Sequence, residues 1–398
     1  MNQDFDFKDN FSSLRRTAIG KKIKKNREKI FPVFASIPPG FSSSALKEAK
    51  LKLNSLQNLH ITKGGISFNA SLEDVIKANL LLGIPSKILL RLSKFRVFNF
   101  DTLENEIEKI PFELFLFKNS KIQISASSRK SKLIHSSAIE ERVLKSVLKR
   151  LEKEKVQNFS KTSQDAKILI RISRDTAVVS VDSSGEPLYK RGLKKLTVKA
   201  PIRENLAFAG LFNSNYNPDF AFFDPMCGCG TFSGEAALIA SNTFPGKFRH
   251  FAFENWPLYD NDLHKKIILK ENEKIIDFKG KIFTSDISFK NVETAKKNYL
   301  DPNLSKNMSF FCSDFFSIKK QKNPGTIAIN PPYGIRIEKE KKLIKNIGEK
   351  LKKDFYAFNL LLTIPKSFQD NYFSEKNFDL IPFVHGGIEM NLVTGKIN

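Results

Sequence analysis

The sequence predicts an α/β protein in two halves. From about residue 194 to the C-terminus it reads as an open parallel sheet with helices on both faces, and over 31–193 as an α+β region. The first observation behind this is a rhythm: short apolar runs at 220–223, 281–284, 308–312 and 326–329 alternate with segments of helical period, as in a buried parallel sheet. The second is the mixed order of short strands and helices over 31–193, closing on a hairpin of 166–173 and 176–183 about Arg174-Asp175. The third is size: 398 residues, 41% apolar and 27% charged, supply apolar surface for about two to three cored domains and exclude wholesale disorder.

Charge narrows the class of partner. Lys+Arg 66 against Asp+Glu 42 gives +24, which points to a polyanion, nucleic acid before acidic membrane, because clustered cations release counterions from phosphates. Lys, Phe, Ile and Asn are abundant together, a mix that biased codon usage also produces without selection for binding. Cys227, Cys229 and Cys312 lack the spacing of a zinc site or a disulfide framework, so no metal is expected and a reducing compartment fits. No apolar run approaches the roughly 18 residues of a membrane span. Asp4, Asp6 and Asp9 stand where a targeting segment would start basic, so a cytoplasmic location is expected.

Residues 1–30 read as a basic flexible tail: they include Arg15-Arg16 and the run Lys21-Lys22-Ile23-Lys24-Lys25-Asn26-Arg27, with too few apolar positions for a core. A strand at 31–37, a Pro38-Pro39-Gly40 turn and a helix at 44–57 with Leu46, Ala49, Leu53 and Leu56 on one face suggest a β-α-β start. A turn at Gly64-Gly65, a helix at 72–82, a basic strand at 88–97, a helix at 103–110, a strand at 121–126 and a helix at 136–153 lead to the hairpin. The second half opens with a helix at 203–212, and later helices fall at 231–240 and 291–299. In such a sheet ligands bind at the carboxyl ends of the strands, and the motifs fall there.

After 220–223 comes Asp224-Pro225-Met226-Cys227-Gly228-Cys229-Gly230-Thr231, whose glycines admit close approach of a ligand and whose following helix offers free amides. Gly228, Gly230 and Gly234 do not match the Gly-x-Gly-x-x-Gly spacing of a dinucleotide site. Asn330-Pro331-Pro332-Tyr333-Gly334 follows 326–329 directly. Its prolines fix an extended backbone and remove donors, leaving the Pro331 carbonyl as an acceptor beside that of Asn330. Together they suit the two hydrogens of an exocyclic amino group, with Tyr333 as a stacking face for a planar base. The clamp alone suits adenine, cytosine or guanine.

The pair of motifs resembles the class I methyltransferases that methylate exocyclic amines with S-adenosylmethionine. In that class the acid ending the second strand, here Asp286, accepts from ribose hydroxyls. The acid ending the third, here Asp314, contacts the adenine amino group, with Phe315 beside the ring. The resemblance implies cofactor contacts from Asp224, Pro225, Gly228, Gly230, Thr231, Asp286, Asp314 and Phe315, and catalytic roles for Asn330, Pro331 and Tyr333. The stretches 179–193 and 200–207, and Glu235-Ala236-Ala237 after the glycine loop, make the chain from about Phe31 onward similar to the THUMP-domain guanine-N2 methyltransferases, closest to those acting on large-subunit ribosomal RNA. That family implies a Rossmann-like catalytic domain over 194–398 behind a ferredoxin-like and THUMP RNA-binding module over 31–193. Cys229 replaces the family's usual Ser and is expected to be a small buried group. The second methyltransferase domain fused to some relatives is not expected after Asn398.

The expected chemistry is in-line methyl transfer to N2 of a guanine without a covalent enzyme intermediate or a metal. Arg191 and Arg336 are open to RNA phosphates or to plain solvation, and Glu204-Asn205 to the pocket rim or to helix capping. Three other readings stay open: tRNA guanine-N2 methylation, DNA adenine-N6 methylation, and an inactive RNA-binding assembly factor.

Overall fold

The structure, a computed structural model, describes residues 18–156, 165–198, 201–321, 323–333, 337–368, 373–374 and 376–398. Its first seven strands are β1 (Phe31–Ser36), β2 (Gln57–Thr62), β3 (Gly65–Ala70), β4 (Lys87–Arg96), β5 (Lys121–Arg129), β6 (Asp165–Ser173) and β7 (Thr176–Asp182). They form one sheet in the order β2-β3-β1-β4-β7-β6-β5, antiparallel except for the β5-β6 pair. Ile168, Ile170 and Ile172 are buried while the residues between them face out, the alternation of a sheet covered on one side. Arg174 and Asp175 turn the β6-β7 hairpin with φ of 50° and 55°, a two-residue turn matched to strand twist.

The β-α-β start is corrected. The strand after helix Ser42–Lys52 turns back at once, and β3 rather than β2 pairs with β1, antiparallel. Ile66, Phe68 and Ala70 of β3 are buried, whereas β2 buries no residue, so burial puts β3 inside and β2 at the edge.

The basic tail is corrected over its described part. Ala18–Arg27 is a helix whose Ile23 is buried and whose Lys22 bonds the buried Glu113. Arg27 reaches Asp260 at 2.7 Å and the Tyr259 carbonyl at 2.7 Å. Ile19 and Ile23 give this helix its apolar side, and carboxylates of the folded body receive Lys22 and Arg27. Residues 1–17, with Arg15-Arg16, lie outside the described residues.

The second sheet comprises β8 (Ala221–Asp224), β9 (Ile282–Asp286), β10 (Met308–Cys312), β11 (Gly325–Ile329), β12 (Asn359–Pro365), β13 (Asp379–His385) and β14 (Ile388–Lys396), in the order β10-β9-β8-β11-β12-β14-β13. The strands are parallel through β12, and β14 is antiparallel to both its neighbours. Phe222, Ala328 and Leu361 pack toward helices Glu204–Asn213 and Thr231–Ala240. Phe223, Ile327, Ile329, Leu360 and Leu362 pack toward helix Ile337–Asp354, so both faces are covered.

The two halves share one apolar core, in which Phe115 meets Trp256 edge-on at 5.1 Å. An added Cβ at Gly83 would lie 2.6 Å from the Phe208 ring, so the halves touch closely. The Asp182-Ser183-Ser184-Gly185-Glu186 segment works as a knot at this junction. Ser183 and Ser184 both bond Asn79, at 2.9 and 2.7 Å, and Arg249 donates to the carbonyls of Ser184, Glu186, Pro187 and Lys190. Arg191 is also absorbed here: 3% exposed, it reaches Glu235 at 3.2 Å and the Gly83 carbonyl at 2.7 Å, which rules out the phosphate contact considered for it. No helix among the described residues is long and apolar enough to cross a membrane.

Candidate active site

At the carboxyl ends of β8, β9 and β11 lies a cavity of about 600 Å³, within the usual range for small-molecule sites. Its wall brings together Pro225, Gly228, Thr231, Asp286, Asp314, Phe315, Asn330, Pro331 and Tyr333, residues the sequence scatters over more than a hundred positions.

The glycine loop turns because Gly228 and Gly230 adopt φ of 56° and 80°, which L side chains rarely take. Gly230 stands behind the cavity wall: an added Cβ would sit 3.0 Å from the Tyr299 ring and 3.1 Å from Ala295. Gly230 therefore serves close packing at the helix start. Asp224 is also off the wall and 1% exposed. Its Oδ2 accepts from the Ser233 amide at 3.1 Å and hydroxyl at 2.8 Å, while Oδ1 is buried without a partner. Burial, aided by the nearby Asp286 charge, pushes its pKa up to about 7.

Asp286 ends β9 and ties the site together. One carboxylate oxygen accepts from the Gly228 amide at 2.9 Å, the other from the Ser288 amide at 2.9 Å and the Asn291 side chain at 3.2 Å. The oxygen that accepts from Gly228 keeps a second lone pair as acceptor capacity, whereas the other is filled by its two donors. Asp314 is exposed on the wall and caps the short turn after it through the Phe316 amide at 3.0 Å. Phe315 is 2% exposed and stacks on Phe355 at 6.0 Å, so its ring belongs mostly to the core. The ring standing freer at the wall is Phe316, 38% exposed.

The Asn330 side chain is held from behind. Its Oδ1 lies 2.7 Å from the Thr363 hydroxyl and 2.9 Å from that of Tyr333, and Tyr333 also bonds the Thr363 hydroxyl and, at 2.9 Å, its carbonyl. With the Thr363 proton on Asn330 and the Tyr333 proton on the Thr363 carbonyl, one lone pair of Asn330 Oδ1 stays available to the cavity. Burial raises the Tyr333 pKa well above its usual value, keeping the phenol a donor.

Several wall and support residues escaped sequence reasoning. Thr363 carries no motif and reaches Asn330 only because β12 pairs in parallel beside β11. Asn298 stitches the 195–196 linker to the glycine loop, taking the amides of Lys195 and Leu196 at 3.0 and 2.8 Å and donating to the Cys229 carbonyl at 3.2 Å. Ser288-x-x-Asn291 after Asp286 was a readable helix-start signal. Cys229 is buried at 1% exposure, and burial pushes the Cys227 thiol pKa far up, so it stays protonated. Glu204 pairs with Lys194 at 2.8 Å, and Asn205 bonds the Ile84 carbonyl at 3.2 Å, a junction role in place of a pocket rim. Arg336 and Gly334 lie outside the described residues.

Comparison with known proteins follows the same division. Residues 97–182 match the THUMP domain, and residues 191–392 match the UPF0020 family, described as RMKL-like, methyltransferase domain. The Bacillus subtilis (strain 168) protein "Putative RNA methyltransferase YpsC" is 30% identical over 352 residues, which are 86% of this chain and 90% of that protein. The crystal structure of SMU.472, "a putative methyltransferase complexed with SAH", superposes with a TM-score of 0.82 at 28% identity, covering 92% of this chain and 98% of that one. A "possible methylase" from Clostridium difficile 630 gives 0.80 at 26% identity, over 92% and 98% of the two chains. With a THUMP domain ahead of the matched catalytic half and likeness along most of its length, the chain belongs to the RMKL-like methyltransferase-domain family.

Proposed function

We propose that the protein methylates the exocyclic N2 amine of a guanosine in RNA, with large-subunit ribosomal RNA as the substrate and S-adenosylmethionine as the methyl donor. The observation that carries this is the placement of Asn330, Pro331 and Tyr333 in one cavity with Gly228, Asp286 and Asp314. The RNA part is supported by the THUMP match and by the printed name of the Bacillus relative, and the donor by the SAH complex of SMU.472. The division into a substrate-binding module over 31–193 and a catalytic domain over 194–398 belongs to the same proposal.

The chain's own residues fit the cofactor. The open acceptor capacity of Asp286 and Asp314, and a glycine cradle at Gly228, where a Cβ would meet Val198 at 3.3 Å, suit a ribose and an adenine amine, while Asp224, behind the wall, anchors the helix after the glycine loop through Ser233. We assign Pro225, Gly230, Thr231 and Phe315 to the loop and wall that shape this space. When bound, the cofactor supplies a methyl group activated by sulfonium.

Guanine N2 is a poor nucleophile because its lone pair is conjugated into the ring. Asn330 Oδ1 and the Pro331 carbonyl accept its two hydrogens, which favours tetrahedral character at nitrogen and orients the lone pair. Tyr333, fixed through its hydroxyl, offers its ring to the base. The base leaves its stack to enter, at a cost of a few kcal/mol that stacking in the cavity offsets.

The test is mass spectrometry of nucleosides from large-subunit particles, protein-free ribosomal RNA, tRNA and DNA, each incubated with the protein and methyl-labelled donor. Labelled N2-methylguanosine in either large-subunit pool is expected. The same product in tRNA moves the substrate, N6-methyladenine in DNA replaces the reading, and bound cofactor with no labelled nucleoside in any pool favours the assembly factor.

A further inference from the structure

The N-terminal sheet shows its cations in two different settings. On its helix-covered side they are paired: Arg142 with Glu104 at 2.8 Å, Lys149 with Glu108 at 2.6 Å, Arg150 with Glu113 at 2.7 Å and Lys109 with Glu106 at 2.5 Å. The opposite, open face of β4-β7-β6-β5 is arranged differently. Residues directly opposite each other in a sheet share a face, and three successive rows carry Arg91, then Lys94 with Arg171, then Arg96 with Arg129. Lys167 lies two residues before the first row on β6 and shares that face. None of these six pairs with a carboxylate among the described residues. Burial and then the neighbouring Arg171 charge lower the Arg91 pKa, and the carboxylates that share this face lie outside the three rows, Asp182 paired with Lys87 and Asp165 at the start of β6.

The remaining positions say what such a face takes. Ser125, Ser127, Ser173 and Thr176 fill the rows with hydroxyls. Phe34 shares the face beside Leu89 and Phe98 follows Arg96, but the Arg91 guanidinium lies over the first ring at 4.8 Å and Arg96 and Lys132 lie over the second at 5.5 and 5.2 Å, so cations occupy both aromatic faces. Leu169 and Val178 are only half exposed, too little to enter a lipid surface. Cations spread over three rows with hydroxyls between them suit the repeated phosphates of a nucleic-acid backbone.

We propose that this open face of β4-β7-β6-β5 binds the phosphate backbone of the RNA substrate without reading its bases, leaving base choice to the catalytic cavity. This rests on the RNA reading above. The test compares Lys94→Ala/Arg171→Ala with Lys109→Ala/Lys149→Ala from the helical side, titrating each full-length protein with two labelled single-stranded RNAs of unrelated sequence over a range of salt.

The open-face variant is expected to bind both RNAs at least tenfold more weakly. The slope of log affinity on log salt should fall by about 1.4, at about 0.7 for each phosphate no longer neutralised. The helical-side variant should stay within twofold of wild type, and both should melt as wild type does. Equal losses in the two variants, no loss in the open-face one, or a large preference between the two RNAs at this face would overturn the proposal. So would an open-face loss seen only with vesicles of acidic phospholipid. Wild-type protein that takes up no RNA at low salt would instead overturn the RNA reading itself, which separates the two failures.

Discussion

The two seven-stranded sheets present function in opposite ways. The C-terminal sheet is parallel at its centre and covered by helices on both faces, so it is accessible only at its edge, where strand ends and loops build a cavity. The N-terminal sheet is largely antiparallel and covered on one face, so the other face is itself a surface, with outward positions carrying unpaired cations. A covered sheet concentrates chemistry at a point, whereas an open one spreads weak contacts over an area.

Breaking the point should cost most. Asn330→Ala is expected to lower kcat by about 10²–10³, the loss typical of removing one preorganised polar group, while cofactor affinity stays within a few-fold. Single-turnover rates beside calorimetric binding would check this, and equal losses in both would sink the role given to Asn330. A stability test sharpens the contrast between paired and unpaired cations. Glu113 is fully buried and receives Lys22 and Arg150, both of which also reach Glu154, so Glu113→Ala removes one of their two carboxylates and should destabilise by about 1–3 kcal/mol in urea unfolding. Lys94→Ala, on the open face, should leave the unfolding midpoint unchanged.

A subtler variant probes how the point is held. Thr363→Val keeps shape but removes the hydroxyl behind Asn330, and should lower kcat about tenfold at unchanged cofactor KM, as for removal of one hydrogen bond. Thr363→Ser should restore it. If Ser fails where Val fails, methyl packing rather than the hydroxyl is what matters.

The smallest expected effect is a pH dependence. The folded pKa of Asp224 is raised to about 7 from an ordinary 3.8, so its contribution to stability is full below the ordinary value and is lost as pH rises through about 7. Cofactor-free wild type should therefore lose more melting temperature between pH 5 and 8 than Asp224→Asn does. Parallel profiles would mean that Asp224 is not the group responsible.

Much of this was legible because it is local. Helices 136–153 and 231–240 and strand 308–312 have the bounds their periodicity implies. The glycine loop and the Asn330-Pro331-Pro332-Tyr333 segment announce backbone chemistry over a few consecutive residues. Other features were not legible, because their partners are distant in sequence. Helix Asn261–Asn272 and the C-terminal elements from 337 onward drew no expectation, although helix Ile337–Asp354 covers a whole face of the catalytic sheet. Phe315 and Phe316 are adjacent aromatics, and only packing against Phe355 decides which ring is core and which is free.

By itself, then, the sequence determined the class of fold and the placement of the glycine loop and of Asn330-Pro331-Pro332-Tyr333 directly after strands, since these depend on hydrophobic period and turn residues. Only the tertiary structure decided that β3 and not β2 lies inside, that the start of the chain docks as a helix, and that Arg191 is buried at the junction while Arg171 stands free. It also decided that Thr363 stands behind Asn330. Charge and hydroxyl groups have no directional period along a chain, so whether a cation meets a carboxylate, a carbonyl or open water is settled by what folding brings against it.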